Sequence, residues 1–520
     1  MRRSLRINIG ANIVGRVFTA VCGVVFAPIY LHFLGIAEYG LFALLNSYMI
    51  VAALVDLGFS GAMTREIAKL SAVSPERMRD LVWTIGLPYC AVALGLALAL
   101  YFSAPGITSL VLSKEDSISD AAVIEAVGFA GIGLACQLPA FLFGGGLAGL
   151  QRQDTSNGIA VVATSLRHGG SLALLWGVSS SVVAVMAWQA AVALLTAVAL
   201  LIALWAQLPS TGRRPRFQFS LLRDTGKFAS SLGGMAVLGT VVLQADKTIV
   251  GALLPFAVVG HYMLASVIAT NLMAIAQPVA AAAFPRLSHL IAIKEWASLR
   301  ANFALLSQLA ALMSLPVMIV IVMLPAQTLM VWTGNATVAA TAGPILRYLV
   351  IGAILNALAA IPWELCIAMG RTGPLLAAAA VGCPMTLALV YLGTLTFGPE
   401  GAAAAMCVFS ALILLTVGAL LNRQLGRSEL WRWLSLDVAL PSAVVAALAF
   451  AMRSVAPGTD HRAQGLAFLA AAGLICALGA AAAMGETRTV LVKLARKSMH
   501  FAGQRYQRSP SLLGRNGDER

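Results

Sequence analysis

Residues 34–70 read LGIAEYGLFALLNSYMIVAALVDLGFSGAMTREIAKL, and residues 254–290 read LPFAVVGHYMLASVIATNLMAIAQPVAAAAFPRLSHL. Each segment holds an apolar run of about 20 residues, the length that a helix needs to cross the hydrocarbon core of a membrane, and each ends in a basic loop. The two segments overlay without a gap, so that Gly40 falls on Gly260. The sequence therefore predicts a membrane protein that contains an internal repeat.

The rest of the chain has the same apolar character. Of its 520 residues, 60% are hydrophobic and only 11% are charged, and its mean hydropathy is +0.87. Soluble domains contain roughly 25% charged residues, so a soluble fold is excluded, and a membrane β-barrel would show short alternating strands instead. We expect an all-α polytopic membrane protein of about 14 transmembrane helices. The predicted spans are 8–31, 40–63, 81–103, 121–143, 157–178, 181–205, 228–252, 258–284, 301–325, 343–369, 375–397, 400–421, 436–455 and 463–485.

The distribution of basic residues predicts the orientation of these spans. The chain has 35 Lys and Arg and a formal net charge of +14. If the N-terminus is cytoplasmic, 28 of the 35 lie in cytoplasmic segments, four lie within spans, and three, Lys114, Arg453 and Arg462, lie on the opposite side. This asymmetry is typical of the positive-inside rule and places both termini in the cytoplasm. The basic excess then faces anionic lipid headgroups, and no nucleic-acid partner is expected.

The repeat predicts the domain organisation. We expect an N-terminal six-helix lobe at 1–205, a basic cytoplasmic linker at 206–227 and a second six-helix lobe at 228–421. Two six-span halves in the same orientation are typical of parallel-repeat transporters, whose halves move about a central site. Beyond them follow two additional transmembrane helices at 436–485 and a basic cytoplasmic tail at 486–520, which begins as an interfacial helix.

Five stretches occur in the order and spacing of a known family: PIYLHFLGIAEYGLFAL, VDLGFSGAMTREIAKL, GLQRQDTSN, QADKTIVGALLPFAVVGHYMLA and AAAAFPRLSHL. Through them the chain resembles the polysaccharide transporter branch of the multidrug, oligosaccharidyl-lipid and polysaccharide exporter superfamily. This resemblance extends over roughly the first 420 residues. It implies a flippase of lipid-linked oligosaccharides, such as O-antigen, capsule or exopolysaccharide repeat units on undecaprenyl pyrophosphate, in the cytoplasmic (inner) membrane of a bacterium.

Ionisable groups inside the spans are the candidate site residues, because they are costly in lipid and tend to face a cavity or a partner. Two of these ionisable residues, Glu125 and Arg347, lie one turn from the outer surface, so we expect them at the membrane interface and not in the site. The predicted substrate-binding and translocation residues are Arg16, Asp56, Arg167, His168, Asp246, Lys247 and Glu364. No catalytic residue, metal ligand or cofactor is predicted.

Each candidate has a structural alternative. Arg16 and Asp56 lie at matched depth, as a structural ion pair or as contacts for a pyrophosphate and a coupling cation, proton or sodium. A polar face of the fifth span, which includes Thr164 and His168, lines a cavity or hydrogen-bonds to a neighbouring helix.

The candidates in later spans have alternatives of the same kind. Asp246 and Lys247 either serve the site or extend their charged ends to the outer surface. Glu364 lies deeper from the inner edge than an acid that extends to the surface, and Pro362 is expected to break the helix there and expose carbonyls.

Several functions compete with the export of glycan units. A peptidoglycan-precursor flippase and a multidrug cation antiporter belong to the same superfamily, and the arginines favour an anionic substrate over a drug cation. A membrane glycan polymerase or ligase is less consistent with outer loops of at most about twenty residues. The chain is therefore expected to be a transporter and not an enzyme, and glycan assembly proteins are possible partners.

Overall fold

The computed structural model describes residues 2–52, 56, 58–111, 118–210, 213–456 and 462–485, and within these ranges it describes all side chains but those of 2–14, 16, 50, 72, 73, 75, 76, 110, 111, 224 and 227–242. The described chain is almost entirely α-helical and contains no β-strand, so the predicted all-α class is confirmed. The first helices are α1 (Arg2–Ser47), α2 (Phe59–Val73), α3 (Pro75–Phe102), α4 (Ala104–Val111), α5 (Asp120–Gly149), α6 (Gln153–Gly177), α7 (Val182–Gln207), α8 (Phe219–Leu253) and α9 (Phe256–Met273). The later helices are α10 (Gln277–Ala292), α11 (Trp296–Met323), α12 (Pro325–Thr333), α13 (Ala336–Ala368), α14 (Thr372–Leu425), α15 (Arg427–Arg432), α16 (Leu440–Arg453) and α17 (Arg462–Ala483).

Eleven segments of the described chain are long and apolar enough to cross a membrane. This number is close to the predicted fourteen, and the difference has identifiable causes. The α14 segment alone contains two predicted spans, which meet at Gly398, where φ is 61° and the backbone leaves the helical conformation. In α1 the first two predicted spans meet at Gly35, where φ is 74°. Left-handed φ values are strained for residues with a Cβ, so glycine permits a sharp break there without a loop.

Each repeat contains an interruption in its second predicted span, which is 40–63 in the first repeat and 258–284 in the second. After α1 the chain forms a 3₁₀ turn at Tyr48–Val51 and resumes as α2 at Phe59. In the second repeat, α9 ends in a 3₁₀ turn at Ala274–Ala276, and α10 follows directly. The equivalent segments of the two repeats therefore share an interruption between two helical pieces, which supports the repeat found in the sequence.

The exposed side of α1 illustrates how the helices suit a membrane. Val17, Val21 and Val25 recur every four residues and are all more than half exposed, whereas Ala27 and Tyr30 are buried. In water such an apolar surface would be unfavourable, but hydrocarbon solvates it well.

The helices form two compact units. One comprises Met1–Asn271, Trp332–Gly352 and Leu376–Phe409, and the other comprises Leu272–Val331, Ala353–Leu375 and Ser410–Arg520. The division into lobes at 1–205 and 228–421, the helix pair at 436–485 and the tail stays a prediction.

In the first unit, α2, α3, α5 and α7 share an apolar core that includes Ile67, Leu81, Phe143 and Leu204. The helices α2 and α5 approach closely because α5 has glycine at the contact. The Thr64 hydroxyl donates to the Gly145 carbonyl at 2.8 Å. Small residues allow helix backbones to pack in this way in lipid, where the hydrophobic effect does not drive helix association.

The basic linker is fastened to the same unit by Asp80 of α3. The carboxylate of Asp80 is 1% exposed and accepts hydrogen bonds from the Arg213 guanidinium at 2.5 Å, the Arg216 backbone N–H at 2.8 Å and the Gln218 amide at 3.1 Å. Thr84, one turn further along α3, accepts from the Gln218 backbone N–H at 3.1 Å. The chain from 213 to 218 therefore lies as a strap across the end of α3.

In the second unit, α11, α16 and α17 pack around Leu315, Val445 and Cys476, which are completely buried. A π-helix at Trp433–Ala439 precedes α16 and carries Asp437, which is 2% exposed. The Gln308 amide of α11 donates to this carboxylate at 2.7 Å. The polar contact thus joins the additional helix α16 to α11.

Candidate substrate site

Arg167 lies on α6 and lines a cleft in the first unit together with Gln137 of α5 and Gln189 of α7. Gln189 is buried, and the Nε atom of Arg167 is buried without a hydrogen-bond partner in the described part of the chain. A guanidinium nitrogen without a hydrogen-bond partner is costly inside a membrane protein. A guanidinium matches the oxygen geometry of phosphate groups, and amide side chains both donate and accept hydrogen bonds. The lining therefore has the chemistry to contact an anionic group that also carries hydroxyls, while in this conformation the accessible volume is only about 10 Å³, which is room for about one water.

His168, the neighbour of Arg167, packs against α1. Its Nδ1 atom lies 3.0 Å from the Tyr30 hydroxyl, and its ring stacks on Phe26 with the ring centroids 4.8 Å apart. Tyr30 is 2% exposed. The histidine is thus held in a packed aromatic cluster, which fixes the rotation of α6 and so the direction in which Arg167 projects.

The polar face of the fifth span contacts α1 along much of its length. The Thr19 and Thr164 hydroxyls are 3.5 Å apart, and a Cβ on Gly15 would lie 3.1 Å from the Asn157 side-chain oxygen. Of the two alternatives for this face, helix-to-helix contact fits Asn157, Thr164 and His168. Arg167, on the neighbouring face, lines the cleft instead.

Asp56 lies just before α2, in the interruption of the second span, and is 4% exposed. Its carboxylate accepts the Tyr89 hydroxyl at 2.5 Å, the Ser60 hydroxyl at 2.8 Å and the Ser60 backbone N–H at 3.2 Å. Unpaired N–H groups and the helix dipole make the N-terminus of a helix favourable for negative charge. The side chain of Arg16 lies outside the described residues, so its pair with Asp56 stays a prediction.

Asp246 and Lys247 form an ion pair on α8, with Lys247 Nζ 3.3 Å from the Asp246 carboxylate. The Tyr262 hydroxyl of α9 also donates to Asp246 at 2.7 Å, and both residues are almost fully buried. Lys247 donates in addition to the Leu243 carbonyl at 2.8 Å. Asp246 is therefore held by two neighbours, Lys247 and Tyr262, and a role of this pair in the site stays a prediction.

Glu364 lies on α13 in the second unit and is half-buried. The prediction that Pro362 breaks this helix is wrong, because α13 continues from Ala336 to Ala368 without a break. Neighbouring groups tolerate a proline in a membrane helix when they satisfy the freed carbonyl. Glu125 and Arg347 are both exposed, as expected for interfacial residues.

Several residues of these clusters are absent from the sequence predictions. Gln137 and Gln189 are neutral amides within apolar runs, and Tyr89 and Tyr262 resemble ordinary core aromatics. Asp80 directly precedes the predicted span 81–103, and the sequence predicts no role for it. These residues could be recognised only as polar side chains that face a buried charge, and that recognition requires knowledge of which helices are neighbours.

Comparison with known proteins identifies the family. The family model described as polysaccharide biosynthesis protein matches residues 5–291, more than half of the chain. The chain belongs to this family. No curated protein matches it.

This chain is similar in fold to several solved structures. The lipid II flippase MurJ in an inward closed conformation is 13% identical with a TM-score of 0.66, over 91% of this chain and 97% of MurJ. An inward-facing multidrug resistance MATE family transporter of the MOP superfamily is 15% identical with a TM-score of 0.60, over 81% of this chain and 98% of the transporter. The eukaryotic MATE transporter AtDTX14 is 17% identical with a TM-score of 0.51, over 83% and 97%. At these identities the likeness establishes the MurJ and MATE fold alone.

Proposed function

We propose that the chain is a flippase that moves undecaprenyl-pyrophosphate-linked oligosaccharide repeat units across the bacterial cytoplasmic membrane by alternating access. Membership of the polysaccharide biosynthesis family and the MurJ and MATE fold support a transporter of this general kind. The observation that carries the proposal is the Arg167 cleft, where a guanidinium and two amides meet inside a membrane-spanning unit.

In this proposal Arg167 contacts the pyrophosphate, which carries the negative charge of the substrate. Gln137 and Gln189 line the same cleft and accommodate hydroxyl groups of the glycan. His168 is a positioning residue, because it packs on Phe26 and sets the orientation of α6.

The remaining predicted residues have secondary roles. Arg16 supplies a second cationic contact, and the carboxylates of Asp56, Asp246 and Glu364 are the candidates for a coupling cation, either a proton or sodium. Lys247 restrains Asp246 through their ion pair.

An apolar cavity beside the cleft suits the lipid part of such a substrate. It is lined by Leu45, Leu100, Val127 and Leu134 among others, and it shares Met49 and Ala130 with the Arg167 cleft. A molecule with an anionic head and a hydrocarbon chain has complementary surfaces in these two adjoining spaces. A free sugar or a soluble anion would leave the apolar cavity unused.

Two alternatives within the superfamily differ in substrate. A peptidoglycan precursor has the same pyrophosphate and lipid, so it fits the cleft equally well, and MurJ is named as a lipid II flippase. A drug cation fits poorly, because Arg167 would repel it. To distinguish a peptidoglycan-precursor flippase from the proposed oligosaccharide flippase, one identifies which lipid-linked glycan accumulates in the cytoplasmic leaflet when the gene is deleted.

The deletion strain also provides the test of the site. We expect Arg167→Glu to abolish glycan export and Arg167→Lys to retain part of it, because lysine keeps the charge but loses the two-pronged hydrogen bonding. Arg152→Gln is the matched control, since Arg152 is exposed and pairs with Asp154 only at 3.7 Å. The measurements are exported glycan and accumulated lipid-linked glycan, at equal amounts of protein in the membrane. Normal export by Arg167→Glu would remove this residue from the substrate site.

A further inference from the structure

The two repeats touch each other through a reciprocal contact of glycines. A Cβ built on Gly40 of α1 would overlap the carbonyl oxygen of Phe256 and would lie 2.7 Å from the backbone nitrogen of Gly260. A Cβ built on Gly260 of α9 would overlap the carbonyl oxygen of Ile36. All four residues belong to the first unit.

The contact follows the internal repeat. Gly40 corresponds to Gly260 in the overlay of the two segments, and Ile36 corresponds to Phe256. Each glycine therefore contacts a carbonyl of the other repeat, and that carbonyl belongs to the residue four positions before the other glycine. Such reciprocity is what a local two-fold axis produces, and parallel repeats in transporters are related by an axis along the membrane normal.

Both helical segments at the crossing are bounded by a break or by a change from α-helical to 3₁₀ geometry. On α1, Gly40 lies five residues after the break at Gly35, and the helix ends at Ser47 before a 3₁₀ turn. On the other side, α9 begins at Phe256 and ends before the 3₁₀ turn at Ala274–Ala276. Short helical rods between two joints can tilt without deforming the helices that precede and follow them.

The crossing lies at the ends of these segments that are remote from the basic loops. Along both repeats the chain runs from the glycine through the interruption to a basic loop, at Arg65 in the first repeat and at Arg286 in the second. None of the four residues in contact carries a charge, so the two segments separate without exposing a broken ion pair.

We propose that the Gly40–Gly260 crossing is the gate that closes the transport pathway on the side opposite the basic loops. The gate is closed when the two helix backbones touch, and it opens when the segments tilt apart at their joints. Glycine is required at both positions because any side chain would hold the backbones apart and prevent closure. This proposal rests on the proposed alternating-access function, but it does not depend on which substrate is carried.

A cysteine reporter tests the gate. Ser47 lies seven residues beyond Gly40, about two helical turns deeper on the same face, and is half-buried. In a background whose seven native cysteines are replaced, Ser47→Cys is labelled with a membrane-impermeant methanethiosulfonate added from the outer side. We expect slow labelling in the parent and at least tenfold faster labelling after Gly40→Leu, with export reduced at least tenfold.

The controls separate the gate from general damage. Gly95→Leu is the matched control, because a Cβ on Gly95 has no neighbour within 4 Å, and we expect no change in labelling. Gly260→Ala adds a single methyl group against the Ile36 carbonyl and should accelerate labelling less than Gly40→Leu. It also decides the question if the leucine variant does not reach the membrane.

One result would overturn the proposal: outer-side labelling within twofold of the parent in Gly260→Ala or Gly40→Leu protein that is present at normal levels and monodisperse in detergent. Labelling requires no substrate, so the readout is independent of the outcome of the Arg167 experiment.

Discussion

Replacing Asp80 by alanine should release the strap formed by residues 213–218. The carboxylate accepts three hydrogen bonds, from Arg216 N–H, Gln218 and Arg213. Hydrogen bonds from neutral donors to a buried charged group contribute about 1 kcal/mol or somewhat more each. The Arg213 side chain is 40% exposed, so its ion pair is screened and contributes about 1 kcal/mol at most. Together the loss is about 3 kcal/mol, which corresponds to an increase of about 150-fold in the opened population of the strap.

Limited trypsin digestion measures this opening, because the strap contains Arg213 and Arg216 and the substitution leaves both cleavage sites intact. When opening and closing are fast relative to cleavage, the digestion rate follows the population of the opened form. We therefore expect cleavage in the linker to accelerate by about two orders of magnitude in purified Asp80→Ala protein. Asp80→Asn retains one acceptor oxygen and should lie between the variant and the parent.

Two comparisons make the result interpretable. Asp154→Ala is the control, because Asp154 is 43% exposed and its ion pair among the described residues is a long one, to Arg152 at 3.7 Å, and it should leave the rate unchanged. The exposed loop at Lys294 serves as an internal reference for a cleavage site that does not depend on the strap. The reasoning is refuted if linker cleavage in Asp80→Ala stays within threefold of the parent, or if cleavage at Lys294 accelerates to the same extent.

Two further predictions concern the buried charges. Exchanging Arg16→Asp with Asp56→Arg should restore the export lost in each single variant if the two form a structural ion pair, whereas continued failure with normal membrane insertion would favour direct contact with the substrate. Tyr262→Phe removes the hydroxyl that donates to Asp246 and should cost about 2 kcal/mol, seen as a lower Tm in detergent. Tyr391→Phe, at a tyrosine that is 48% exposed, is its control, and equal Tm values for the two variants would contradict the expected contribution of the hydrogen bond.

Hydropathy predicted most of the fold because lipid imposes a minimum length of apolar helix on each span. The hydropathy profile predicted a short loop between the spans at Gly35 and at Gly398. In the structure the two helices meet at a single glycine with positive φ at each of these positions. Hydropathy averages over a window and contains no information about a break at a single residue. Pro362 shows the opposite error, since a residue that breaks isolated helices is accommodated within α13.

The candidate site could be predicted only to the extent that it depends on charge. The depth of Arg167 within an apolar run makes it a candidate without a structure, because few partners can compensate a guanidinium there. Gln137 and Gln189 could not be identified in this way, since neutral amides are common in helix contacts and become significant only when three helices bring them to one cleft. The overlay of Gly40 on Gly260 was likewise visible in the sequence, but their mutual contact was not.

Satisfaction of hydrogen bonds separates the structural charges from the candidate for substrate binding. Asp56 receives Tyr89 and Ser60, Asp80 receives the linker, and Asp246 receives Tyr262. Each of these carboxylates has hydrogen-bond partners within the protein, so its burial requires no contact with the substrate, and the coupling-cation role proposed for Asp56 and Asp246 stays a prediction. Arg167 differs, because its buried Nε atom has no partner among the described residues and its cleft is lined by amides that carry no negative charge. An uncompensated cation lowers the stability of the protein alone and is compensated when an anion binds, which makes the Arg167 cleft the place where substrate charge should be measured first.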